Sequence, residues 1–230
     1  MISSVRVVGT GRAGGAIAGR LRERGIEVRA GREALADADL VLLAVPDAAI
    51  AEVARAVPVG PWIGHVSGAT RLEALDPHLP ARRFSVHPLQ TLTRQRGPEQ
   101  LVGAWAAVTA ETDAAADAAA WLTTSLGLRP FPLADDDKPL YHAGAVIAGN
   151  FLVTLYRAAA RLMEASGAPP EALVPLMTRT IENGFALTGP IARGDWSTVE
   201  AHLAALRDRA PDLVPLYRAL ADATRVEAGR

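Results

Sequence analysis

The feature that most constrains this chain is the run Val5-Arg6-Val7-Val8, which passes directly into Gly9-Thr10-Gly11-Arg12-Ala13-Gly14 and then into Gly15-Ala16-Ile17-Ala18. A strand that turns at once into a helix needs a glycine at the turn (Gly9). It needs a second where backbone approaches a pyrophosphate (Gly11) and a third where helix packs on strand (Gly14). The helix N-terminus then aims unsatisfied N–H groups at an anion. Gly9, Thr10, Gly11, Arg12, Ala13 and Gly14 are therefore assigned to a dinucleotide site, the alternative being a plain tight turn.

The segments that follow alternate strand and helix patterns. Ile26 to Ala30 reads as a second strand, and Gly31-Arg32-Glu33 sits at its tip, where a nucleotide fold meets the adenosine ribose. An arginine there accommodates a 2′-phosphate, so Arg32 favours NADP over NAD, unless Arg32 is solvated and Glu33 takes the ribose. Asp39 to Asp47 is the continuous apolar run of a central parallel strand. Val45 and Pro46 at its end are candidate cofactor contacts, Asp47 is placed to cap the next helix, and Ala48 to Val57 continues as that helix. Trp62 to Gly68 and Phe84 to Pro88 give two more strands ending in polar turns, so His65, Ser67 and His87 fall where open α/β sheets bind ligands. Ala104 to Ala110, Asp113 to Leu126 and Leu128 to Leu133 complete a β-α-β pattern. The expected fold class is α/β, with a doubly wound, mostly parallel sheet over residues 1–137.

Past residue 137 no strand pattern returns, which predicts an all-helical domain over 138–230. Its first helix is expected from Pro139 to about Ala165 with Asp137 as cap, ending at Gly167. Glu171 to Asn183 follows as a helix. Ser197-Thr198-Val199-Glu200 reads as a capping box for another, and Asp212 starts the last. The uncharged run Pro139 to Tyr156 falls short of the ~20 residues of a spanning helix, so a buried helix is expected and no membrane partner. Net charge is −1 with both signs scattered, which gives no stripe for nucleic acid. The chain has no cysteine, which excludes disulfides and thiolate chemistry, and it enters its first strand without a signal-peptide pattern. A cytoplasmic location is expected.

The order of elements resembles the superfamily of pyrroline-5-carboxylate reductase, 3-hydroxyacid dehydrogenases, ketopantoate reductase and prephenate dehydrogenase. More specifically the chain is similar to an uncharacterised bacterial family of Rossmann-like proteins with a C-terminal domain of unknown function. The residues that carry this are Ala44 to Asp47, His65 to Ala69, His87 to Gln90, Leu140 to Ala143, and Ala186 to Asp195 with Thr198 and His202. The resemblance implies a nicotinamide across the strand ends, substrate at the junction of the two domains, and a homodimer with intertwined helical domains. Hydroxyacid dehydrogenases carry a catalytic lysine on the interdomain helix. The single lysine here, Lys138, stands before Pro139 outside a matching motif, which argues against lysine-assisted chemistry.

A reductase of this kind must position a hydride donor, polarise a C=O or C=N, and handle one proton. His142 is the candidate proton donor, against a structural imidazole in the bundle. Asn150, about 80° around an ideal helix from His142, could orient an amide or carboxyl group, and Tyr141, about 100° away, should not share the histidine's target. Ser67 fits a nicotinamide contact better than a nucleophile, His87 fits a rigid turn, and the five histidines lack metal-ligand spacing. Arg193 could bind a substrate carboxylate, or else pair with Asp195. The functional expectation is an NADP-dependent oxidoreductase acting on a small carbonyl, hydroxyacid or imine. The alternatives are an NADP-binding regulatory or scaffold protein and a deazaflavin-type cofactor in place of substrate.

Overall fold

The computed structural model describes residues 2–31 and 37–229. Arg32 and Glu33, expected at the ribose, lie outside the described residues. The chain divides into two compact units, Met1–Gly149 and Asn150–Arg230. The division falls inside the long helix, beyond the boundary expected at 137/138.

Among the described residues of the first unit seven strands form one sheet: β1 (Ser4–Val8), β2 (Glu27–Ala30), β3 (Leu40–Leu43), β4 (Trp62–His65), β5 (Arg83–Pro88), β6 (Trp105–Ala110) and β7 (Arg129–Pro132), in the order β2-β1-β3-β4-β5-β6-β7. The first five are parallel; β6 runs antiparallel to β5, and β7 is parallel to β6. Helices α1 (Arg12–Glu23) and α3 (Asp113–Leu126) cover one face, burying Ile17, Leu21, Ala119 and Leu122 against Val5, Val7, Leu42, Phe84 and Val86. Thr112 caps α3 by accepting the Ala115 N–H, and Gly127 ends it in the left-handed region at φ 74°. The other face packs Val8, Val41, Leu43 and Ile63 against α2 (Ile50–Ala56) and the turn Leu72–Leu75. Strands buried on both faces explain the uninterrupted Leu40–Leu43 run. Asp47 opens a short 3-10 turn ahead of α2 and makes no side-chain cap bond, because Pro46 holds the position before it.

The long helix begins one residue earlier than expected. It consists of α4 (Lys138–Val146), a π-helical turn (Ile147–Phe151) and α5 (Leu152–Ser166), closed by left-handed Gly167 at φ 79°. The π turn lies between His142 and Asn150, so the ideal-helix angle expected between them does not hold. Lys138 is the only buried residue of α4, and α5 buries none within this chain, so the burial expected of this helix is not supplied by the chain itself. By length and composition the helical stretch Asp135–Ser166 could cross a membrane, with mean hydropathy 1.3 in its most apolar window. The second unit continues with α6 (Leu173–Glu182), α7 (Trp196–Arg209) and α8 (Val214–Ala228). The cap of α7 is Asp195 rather than the expected Ser197 box. Its carboxylate accepts the Thr198 N–H at 3.1 Å and both neighbouring hydroxyls, those of Ser197 and Thr198.

Candidate active site

The strand-to-helix turn has the shape its glycines require. Gly9 sits at φ 114°, and a Cβ on it would collide with the Ala44 carbonyl, while one on Gly14 would collide with the Gly9 carbonyl. Strand, helix and the end of β3 therefore meet backbone to backbone. Gly11 differs, because a Cβ there would meet nothing within 4 Å. It is the N-cap of α1, has no side chain with which to cap, and no acid occupies the first turn. The N-terminal N–H groups of α1 are thus left for an anion, which fits a pyrophosphate.

Across the sheet the register builds a row from Val8 through Leu43, His65 and Ser85 to Thr109, all buried. It is apolar under α2 and turns polar at β4. His65 accepts the Ser67 N–H at Nδ1 (3.2 Å), which places its proton on Nε2. That nitrogen is buried without a hydrogen-bond partner. Burial first, then the nearby Lys138 and His87, pushes the imidazole down to about 3; the Arg71 backbone opposes this from outside hydrogen-bonding geometry. His65 is therefore neutral at physiological pH.

One step further along β5 a second row aligns His87, Ala107 and Phe131. Alanine in the middle leaves a gap on this face, and Tyr141 of α4 occupies it. Its hydroxyl shares a 2.7 Å hydrogen bond with His87 Nδ1, and its ring meets those of His87 and Phe131 edge-on at 5.6 and 5.9 Å. His142 contacts His87 from the same helix with ring centroids 6.0 Å apart. Gly68 completes the cluster, since a Cβ there would come within 2.9 Å of both imidazoles. Burial pushes His87 down to about 4, with His142 and Lys138 adding repulsion and Asp47 opposing; burial alone pushes Tyr141 up to about 12. Both groups are uncharged at neutral pH, so the bond is one between neutral partners in which either can hold the shared proton.

Lys138 lies beneath this cluster, 1% exposed. Its ammonium donates to Ser85 Oγ (2.6 Å) and the Thr70 carbonyl (2.9 Å), with Asp135 at 3.9 Å. Burial lowers it to about 8, and Asp135 and Asp47 hold it from falling further.

Of the residues expected from sequence, Gly9 to Gly14 form the turn, and His142 stands in the cluster. Val45 and Pro46 follow β3 beside Gly9, where Val45 is part-buried and Pro46 exposed. The Ser67 hydroxyl is engaged within its own turn, donating to Thr70 Oγ1 and accepting the Ala69 and Thr70 N–H groups. Asn150 and Arg193 belong to the second unit and are exposed there. Asp195 is taken up by the α7 cap. Three readings change. Tyr141 and His142 do share a target, because His87 lies between them. His87 is a member of the cluster rather than only a turn residue. Lys138, set aside for want of a motif, is the buried charge at its base. Among the described residues no group of three or more potential metal ligands converges.

The fold is that of several solved structures. A Bacteroides fragilis protein provisionally assigned as an NADP oxidoreductase superposes with a TM-score of 0.82 at 21% identity, over 97% of this chain and 98% of its own. A Thermotoga maritima protein of unstated activity gives 0.76 at 22% identity, over 98% of each. An imine reductase of Streptomyces aurantiacus gives 0.65 at 17%, over 98% of this chain and 94% of its own. No curated protein matches the sequence significantly. Residues 104–224, more than half of the chain, match the family model described as a domain of unknown function, DUF2520. With its Rossmann-type sheet and helical C-terminal region, this chain is a member of the DUF2520 family.

Proposed function

We propose that this protein is a nicotinamide-dependent oxidoreductase, with NADP the favoured cofactor, acting on a small carbonyl, imine or hydroxyacid. The observation that carries the reading is the pair of features at one end of the sheet. A glycine turn left open at Gly11 adjoins β3, and a proton-transfer cluster of His87, Tyr141 and His142 gathers at the ends of β4 and β5. The fold shared with an imine reductase and an assigned NADP oxidoreductase supports it. When bound, a reduced nicotinamide supplies the hydride. The chain's part is to hold the pyrophosphate on α1, keep water from the reacting carbon and deliver one proton. His142, the expected proton donor, stands against His87, and Tyr141, which keeps its proton at neutral pH and is hydrogen-bonded to His87, can relay one there.

Asn150 and Arg193, expected to orient an amide or carboxyl group and to bind a carboxylate, belong to the same proposal. A homodimer through the helical unit does too. It is supported by exposed Val174, Leu176 and Ile181 on α6 and by the absence of buried residues on α5 and α6.

Calorimetric titration with NADPH, NADP⁺, NADH and NAD⁺, repeated on Arg32→Ala, is the test. Binding of NADP(H) that weakens selectively in the variant supports the cofactor assignment; failure of all four to bind ends the oxidoreductase reading. With a substrate from an NADPH-consumption screen, Tyr141→Phe should retain binding and lose roughly 100-fold or more in turnover. Full activity in that variant would remove the phenol from the mechanism.

A further inference from the structure

We propose that Lys138 is the positioning residue of this cluster: by bonding Ser85 Oγ and the Thr70 carbonyl, its ammonium seats Tyr141, one turn along the same helix, on His87 Nδ1. The purpose assigned to that seat rests on the oxidoreductase reading, while the seat itself is independent of it.

Helix α4 crosses β5 at two matched points. Lys138 and Tyr141 are three residues apart and share a helix face, and Ser85 and His87 are two apart and share a strand face. Three helical residues rise about 4.5 Å, whereas two strand residues span about 6.6 Å. Matching both points therefore needs long side chains on the helix, and lysine and tyrosine supply them. The upper point is a single hydrogen bond to a part-buried imidazole. The lower is two hydrogen bonds in a fully buried slot that also ties down the turn after β4 at Thr70.

A buried ammonium is a costly way to fill space. Taking such an ion out of water costs several kcal/mol, and a hydrophobic side chain of similar volume commonly does as well or better for stability. Asp135 lends Lys138 charge but no hydrogen bond, since its nearer oxygen stands 3.9 Å from Nζ while both oxygens accept the Leu72 N–H. What the ammonium supplies that a methionine would not is direction: three donors, two of them fixed on oxygens from β5 and from the turn after β4. It also adds charge. The groups that face His87 are Lys138, Tyr141 and His142 from α4, His65 from β4, and Asp47 from the turn after β3. Burial opposes protonation of His87 first, and His142 and Lys138 add to it, so the lysine that seats the tyrosine also helps keep its partner neutral.

The test is ¹⁵N-histidine NMR of the full chain, following the His87 Nδ1 shift and titration midpoint, with Tyr141→Phe defining the shift of an unbonded Nδ1. In Lys138→Met the Nδ1 signal should move to the Tyr141→Phe position, and the midpoint should rise by about half a pH unit through loss of a nearby positive charge. A folded Lys138→Met protein whose Nδ1 signal stays at the wild-type position, whatever its midpoint, overturns the proposal and leaves Lys138 as filler. Should Lys138→Met not fold, Ser85→Ala decides. That variant keeps the charge and the Thr70 bond while removing one anchor, and its Nδ1 signal should move part of the way; an unmoved signal overturns the proposal. These signals need no cofactor, so a protein that binds no nicotinamide would sink the oxidoreductase reading and leave this result standing.

Discussion

At the scale of the residue, burial keeps His65 and His87 of the first unit uncharged. His65 falls from its ordinary 6.5 to about 3 and His87 to about 4, both chiefly through burial. Between those values and 6.5 the unfolded chain binds protons that the folded chain refuses, so stability must fall as pH drops through that window. Urea unfolding midpoints should therefore decline from about pH 6.5 toward pH 4. A level profile across that range would contradict the burial of both rings. These residues were only half legible beforehand. The spacing of His65, Ser67 and His87 put them at strand ends. It could not show that Ser67 spends its hydroxyl on Thr70, nor that an alanine two strands from His65 opens a place for Tyr141. Such facts depend on which side chains meet across strands and on what the helix above brings to them, and these partners lie far apart in the chain.

At the scale of the element, the glycine turn was the most legible part of the chain, because its requirements are local. Each glycine answers a distinct demand, and the structure separates them. Gly9→Ala combines a left-handed φ with a collision against Ala44 and should destabilise the fold by more than about 2 kcal/mol. Gly11→Ala meets open space and should cost about 0.5–1 kcal/mol as an N-cap change. Its effect should appear instead as weakened nucleotide binding. Thermal melts beside calorimetry on the two variants check this, and equal destabilisation in both would show that Gly11 serves the fold. Helix α4 was legible as a helix but not as a site element. Lys138 was judged by whether it fell in a known motif, whereas its role comes from what lies under it in the sheet. Angles on an ideal helix misplaced Tyr141 relative to His142 because they ask where two side chains point and not how wide the object between them is.

At the scale of the whole molecule, the first unit buries its own core while the helices of the second present apolar residues outward. Leu176 and Ile181 on α6 remain 62% and 53% exposed. Such a surface asks for cover, and a second copy of the chain is the cover proposed. Sedimentation of the intact protein should give a dimer, and Leu176→Asp with Ile181→Asp should shift it toward monomer. A monomeric wild type, or one recovered only with detergent, would point to lipid against the Asp135–Ser166 stretch instead. The alternation of strand and helix made the two-part architecture readable. The reversal of β6 against β5 was not, since a sequence shows that a strand exists before it shows which way the strand runs.

That reversal decides how the protein can vary. Because β6 doubles back, residues 89–104 form a hairpin-like return along the rim beside His87, and β6 and β7 offer their beginnings, Trp105 and Arg129, to that same rim. No crossover helix has to be threaded there. The second half of this return is anchored, with Leu101 and Ala104 in the core and buried Gln100 bonded to Thr93, Arg96 and Gly97, so only the exposed tip at 94–97 can be lengthened or repainted while leaving every strand in place. The tip over residues 94–97 is where such a chain can change what it admits without renegotiating how it folds.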